Sequence, residues 1–243
     1  MEKEYGIIKA KSEHPVRDLL RVPHKDGALI VSHPAFGPNY FNANIEEMQK
    51  SYSHPVTGER ISFREPTTSE SISGASYDFE NMAKLSIFDP RWLQTGRIVR
   101  TSKGVFVNPP RDEKGNLIID EQRLEAYILR EVNGIYRADS SDLGFAPYNS
   151  FTQGVQDCNT FAEGGLARAL EHTEGKTAEN LRKIASPKNY KRGVNVFGFD
   201  KVTDPVLRVA GLDSGRDFDD YRLYVYGDVW TDGNYSVAFG VLE

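Results

Sequence analysis

The chain contains one cysteine, Cys158, in the run Asp157-Cys158-Asn159-Thr160-Phe161-Ala162. A thiol at the mouth of a helix is a candidate nucleophile, because unpaired N–H groups and the positive end of the helix dipole favour the thiolate. The same residue type is also among those most often buried as a small hydrophobe. Two capping schemes fit the local sequence. Thr160 and Glu163 have capping-box spacing, which would leave Cys158 just outside the helix. With Asp157 as the N-cap instead, Cys158 becomes the first helical residue. Cys158, Ala162, Leu166 and Ala169 share one helical face, which turns the sulfur toward the core. Asp157 opposes thiolate formation, since a neighbouring negative charge raises a thiol pKa.

A thiol nucleophile needs a base within ~2.6 to 3.2 Å, oriented by a third group. There are five histidines. His172 lies on the same expected helix as Cys158, ~21 Å further along its axis, and is out of reach. His14, His33 and His54 each precede a proline, which biases them to extended or turn geometry. His24 stands just before, and His33 just after, the apolar run Ala28-Leu29-Ile30-Val31, which reads as a strand. These two are the candidate bases, with His33 preferred because no Asp-Gly turn separates it from the strand. The plainer reading of each is a hydrogen-bonded loop histidine. Gln156, and Gln153 with it, are candidate oxyanion donors.

The residues Tyr148-Asn149-Ser150-Phe151 and Asp157-Cys158-Asn159-Thr160-Phe161 resemble the segment around the catalytic cysteine of the PPPDE peptidases, which include desumoylating isopeptidases. The resemblance covers roughly residues 148–170. It implies a circularly permuted papain-like fold, Cys158 as nucleophile at the start of a helix, and a histidine base on an earlier strand. The chain departs from the family at Asp157, where the family has Asn, and in the extra residues around Gln153-Gly154-Val155.

The elements that would position these groups can be read from periodicity and punctuation. Residues 45–52 predict one or two helical turns. Residues 65–76, rich in Ser and Thr and poor in large apolar side chains, predict a mobile surface loop. Arg97-Ile98-Val99-Arg100 and Val105-Phe106-Val107 predict a hairpin around a turn ending in glycine. Asp120 caps an expected helix over 121–132, ended by Asn133-Gly134. Ala162, Leu166, Ala169 and Leu170 form the stripe of the next helix, in which Gly164-Gly165 permit close packing. Residues 178–184 predict a further short helix. Residues 222–226 and 235–239 flank Thr231-Asp232-Gly233-Asn234 and read as a second hairpin. The aromatics Tyr224, Tyr226, Trp230, Tyr235 and Phe239 alternate as on a half-buried sheet, with core packing as the default role.

The expected architecture is α+β, a mostly antiparallel sheet with hairpins and two to three helices. It forms a single domain over 1–243, with a loop-rich segment at about 53–90. The chain has 243 residues, 39% hydrophobic and 27% charged, with a formal net charge of -5. That balance speaks against a nucleic-acid coat, which relies on clustered Lys and Arg. The basic stretch 176–192 reads as a solvated helix end and loop. No signal-like or membrane-spanning apolar run is present, so a soluble cytoplasmic protein with no membrane partner is expected. No paired-Cys, His-Glu-x-x-His or EF-hand pattern occurs, and no phosphate-binding glycine fingerprint opens a helix. Neither a metal nor a cofactor is therefore expected, and the acidic group Asp213, Asp217, Asp219 and Asp220 reads as a solvated loop. Two functions remain. The favoured one is a non-catalytic binding or structural module with a protein or peptide partner, in which Cys158 is core. The alternative is a cysteine hydrolase or isopeptidase using Cys158, His33 or His24, and Gln156.

Overall fold

Hairpins organise the chain. The computed structural model describes residues 14–81, 92–127, 130–139, 141–215, 220–228 and 236–243. Trp92–Arg100 pairs antiparallel with Gly104–Val107, as the turn residues predict. These strands lie in the middle of a large sheet. From one edge, its order is Gly154–Gln156, Val194–Phe197, Leu223–Tyr226, Val206–Ser214, Trp92–Arg100, Gly104–Val107, Gly144–Pro147, Ile135–Arg137 and Arg130–Val132. Neighbours are antiparallel except where Val194–Phe197 meets Leu223–Tyr226 and where Ser236–Val237 branches onto Trp92–Arg100. A second antiparallel sheet holds Asp18–His24, Gly27–His33, Val241–Leu242 and Phe63–Arg64. The architecture is α+β. Among the described residues there are six α-helices, most of them one or two turns long, where the sequence suggested two to three.

The segment expected as a mobile loop is instead a buried helix, Thr68–Glu80. Thr68, Ser69, Ser71 and Ser73 are buried with a backbone or side-chain partner each, which offsets the cost of burying their hydroxyls. Thr67 Oγ1 accepts from the Glu70 N–H, and Glu70 accepts from the Thr67 N–H, closing a capping box. Glu70 also accepts twice from Arg64, at 2.6 and 2.9 Å. Ser71 Oγ donates to Thr95 O at 2.7 Å and Thr68 Oγ1 to Leu170 O at 2.6 Å. Small side chains let the helix sit close to its neighbours: a Cβ on Gly74 would come within 2.8 Å of the Phe239 ring. The helix packs against Asp18–His24, Trp92–Arg100, Gly165–Glu171 and Glu179–Ile184.

Three further expectations change. The helix capped by Asp120 covers only Glu121–Glu125, and Arg130–Val132 is a strand that pairs with Ile135–Arg137. Asn133 and Gly134 both have positive φ, 52° and 83°, so this Asn-Gly forms a hairpin turn rather than a helix terminator. The expected stripe around 162–170 belongs to two helices, Cys158–Glu163 and Gly165–Glu171, because Gly164 adopts an extended conformation with ψ of 145°. Gly165 does serve close packing, since a Cβ there would lie 2.1 Å from Ser150 Oγ. Finally, Leu223–Tyr226 takes its partners from Val206–Ser214 and Val194–Phe197, and Ser236–Val237 pairs with Trp92–Arg100. The two runs are therefore not a hairpin pair; the turn expected between them lies outside the described residues. No described helix is long and apolar enough to cross a membrane.

Candidate functional site

The edge strand Gly154–Gln156 delivers the chain to Asp157, whose carboxylate caps the cysteine helix. Oδ1 accepts from the N–H groups of Asn159 and Thr160 at 2.9 and 3.0 Å, and Oδ2 accepts from Thr160 Oγ1 at 2.6 Å. The Thr160 hydroxyl, ahead of these N–H groups, holds the Asp157 carboxyl below its usual range. Asp157 is thus the cap, Cys158 is the first helical residue, and Thr160 with Glu163 forms no box. The Cys158 side chain is half-buried, packs against the main core and lies 3.8 Å from Asn159 Oδ1. It also faces an open hollow of about 500 Å³ together with Gln156, Tyr190, Lys191 and Arg192.

No histidine lies in the wall of this hollow. His24 ends the first strand and brings Nδ1 to 2.9 Å from Ser73 Oγ, on the buried serine-rich helix. Burial, and then the Lys25 charge, lowers its pKa. His33 ends the second strand with its Nδ1 buried and unpartnered among the described residues. His54 Nδ1 accepts from the N–H groups of Val56 and Thr57, within a turn. His172 caps the helix Gly165–Glu171 in the left-handed region with φ of 53°, its ring buried and 3.7 Å from Asp142. Its pKa is pushed down to about 4, first by burial and then by Arg137. The structure therefore brings Gln156 beside Cys158 and brings neither His24 nor His33 into the hollow's wall. Gln156 Nε2 donates to Thr152 O at 2.8 Å. Gln153 is spent on bridging, donating to Asp200 and accepting from the Phe199 N–H.

Sequence reasoning missed the polar groups around the first hairpin. Lys25 pairs with Asp142 at 3.2 Å, which also faces His172. The Arg64–Glu70 pair had a readable signal in the Thr67-Thr68-Ser69-Glu70 spacing; the His24–Ser73 contact, 49 positions apart, had none. Of the acidic group, Asp217 and Asp219 lie outside the described residues. Asp213 accepts from Tyr226 Oη at 3.2 Å and Asp220 pairs with Arg222 at 3.2 Å. Among the described residues, no group of three or more His, Cys, Asp and Glu side chains is placed to hold a metal ion.

A second feature stands on the face of the large sheet opposite the helix Thr68–Glu80, beside the cluster that includes Phe41, Ile45 and Met48. Val194, Val196, Leu223 and Val225 are buried in the main core, so strand alternation turns Phe197, Tyr224 and Tyr226 to the other side. Tyr226 stacks on Trp92 with centroids 5.3 Å apart, and Phe197 meets it edge-to-face at 4.3 Å. Tyr224 lies roughly parallel to Tyr226 at 6.1 Å. Trp92 and Phe197 remain 37% and 38% exposed, and Val155, in register with Asn195 on the same side, is 59% exposed. The Tyr226 hydroxyl pKa is raised by burial and by Asp213. No protein-family model, curated protein or solved structure matches the chain.

Proposed function

We propose that the protein is a non-catalytic assembly module that pairs with a second copy of itself through this aromatic face. The observation that carries the reading is the aromatic cluster of Trp92, Phe197, Tyr224 and Tyr226, in which Trp92 and Phe197 stand exposed over half-buried Tyr224 and Tyr226, because exposed apolar patches mark interaction sites. A protein surface suits it better than a sugar or a base. Stacking of a flat ligand needs a free ring face, and here the rings already stack on one another. Beside Tyr224 the charges are matched within the fold, Arg222 by Asp220 at 3.2 Å, which limits charge repulsion between two copies at that edge of the face. Two-fold dimers are the commonest closed assembly. Sedimentation equilibrium should give a dimer mass at micromolar concentration and above, and Phe197→Asp should give a monomer with unchanged circular dichroism. A wild-type chain that stays monomeric across the series overturns the reading.

The half-exposed sulfur in an open hollow favours a second reading, a cysteine hydrolase or isopeptidase with Cys158 as nucleophile, as the PPPDE resemblance implies. Its candidate bases, His24 and His33, stand outside the hollow's wall. Iodoacetamide labelling of native protein against pH decides it. A reactivity midpoint well below ~8.5 supports a primed thiolate, and a midpoint at or above that value removes the nucleophile.

A further inference from the structure

Arg168 is the anomaly among the buried charges. It is only 5% exposed, on the helix Gly165–Glu171, and its Nε donates to the backbone oxygen of Glu163 at 3.1 Å. Among the described residues, the other deeply buried arginine, Arg100, has Asp228 at 4.0 Å and Gly198 O at 2.7 Å. Arg137 has Glu174 at 3.3 Å. Among the described residues no carboxylate pairs with Arg168, and burial alone pulls its pKa down. A desolvated cation without a counter-charge is expensive, so such a group implies a partner from outside the fold.

The guanidinium does not face a closed core. It forms part of the wall of an open hollow of about 580 Å³, together with Asn133, Glu163, Lys176 and Thr177. The Asn133-Gly134 turn passes over it: a Cβ on Gly134 would lie 3.9 Å from Arg168 Nη2. Lys176 is exposed and Thr177 half-buried. Two cations stand against one carboxylate, the exposed Glu163, so the wall is net positive. An arginine fork matches two oxygens of one anion, a lysine adds a mobile point charge, and a threonine hydroxyl adds a neutral donor.

We propose that Arg168, Lys176 and Thr177 form a binding site for a phosphate group, either inorganic phosphate or the phosphate of a small monoester. The site is independent of the aromatic face and of Cys158, so it stands or falls apart from the proposed function.

Thermal unfolding of the whole chain tests it, in sodium phosphate against sodium chloride and sodium acetate at matched ionic strength and pH. The wild type should gain about 3 to 6 °C once phosphate exceeds its Kd tenfold, with no such gain in chloride or acetate. Arg168→Met should lose that gain. Should this buried substitution fail to fold, Lys176→Glu at the exposed rim reverses the local charge and should abolish the gain on its own. Phenyl phosphate separates the two sources: binding tighter than inorganic phosphate assigns the site to a monoester, and equal or weaker binding assigns it to the free ion. An equal gain in wild type and variants, an equal gain in acetate, or no gain with either phosphate probe overturns the proposal.

Discussion

Two helices of this protein invert what their sequences advertise. The cysteine helix, Cys158–Glu163, carries the residue type most suggestive of chemistry, yet its first turn lies at the rim, with Asp157, Asn159 and Thr160 exposed. The helix Thr68–Glu80 looks like a polar linker and is buried over most of its length. The two caps differ in the same sense. Asp157 caps with a solvated carboxylate, whereas Glu70 closes a box while accepting from Arg64. The difference shows that burial follows from whether polar atoms find partners and whether small side chains permit close approach, rather than from hydropathy alone.

The largest expected effect tests close approach. Gly74→Leu forces a side chain into the Phe239 ring and should cost about 3 kcal/mol or prevent folding, although Leu is the better helix former. The matching substitution on the other helix, Asn159→Leu at an exposed site, should stay within about 0.5 kcal/mol in urea unfolding. Similar costs at the two positions would erase the contrast.

The next effect probes the far end of the cysteine arm, which His172 closes. Its folded pKa of about 4 lies below the ~6.5 of an unfolded histidine, so the unfolded chain takes up a proton first as pH falls. This residue therefore costs nothing above pH ~6.5 and destabilises the fold progressively between ~6.5 and 4. Arg137 and Lys25 reinforce the depression, while Asp142 and Glu174 oppose it. His172→Asn keeps a residue tolerant of left-handed geometry. Urea midpoints of the variant should fall less steeply between pH 6.5 and 4.5, by about 1 to 2 kcal/mol relative to wild type. Parallel pH profiles would show that the imidazole stays solvated.

Local signals were readable where turn chemistry and strand pattern agreed. The hairpin across Lys103-Gly104, the strand over Ala28 to Val31, the helix Glu179–Ile184 and the Asp120 cap all follow from adjacent residues. Asn133-Gly134 was ambiguous, because the dipeptide suits both a helix end and a tight hairpin. The strand partners of Leu223–Tyr226 were not legible, since Val194–Phe197 and Val206–Ser214 reach it by long-range pairing. The candidate site divides in the same way. Asp157 as a cap and Gln156 beside Cys158 are matters of sequence adjacency. The placement of His24 against Ser73, away from the thiol, depends on how a hairpin docks on a helix that the sequence presents as a loop.

The smallest effect compares the two residues that contrast most. Along Trp92–Arg100 the register shifts opposite Ala210 and Gly211, so that Gln94 and Gly96 have strand partners and Thr95 is the extra residue of a bulge. At the bulge Ser71 Oγ donates to the Thr95 carbonyl at 2.7 Å, while Thr95 Oγ1 donates to Ala210 O at 2.9 Å. Ser71→Ala removes a buried hydrogen bond to the Thr95 carbonyl and should cost about 1 to 2 kcal/mol. Cys158→Ala removes a half-buried sulfur that lies 3.8 Å from Asn159 Oδ1, and should cost about 0.5 kcal/mol. The serine in the unremarked helix should therefore matter more to stability than the cysteine. The opposite order in paired urea titrations would mean that Cys158 is locked into the core and that the rim position assigned to it is wrong.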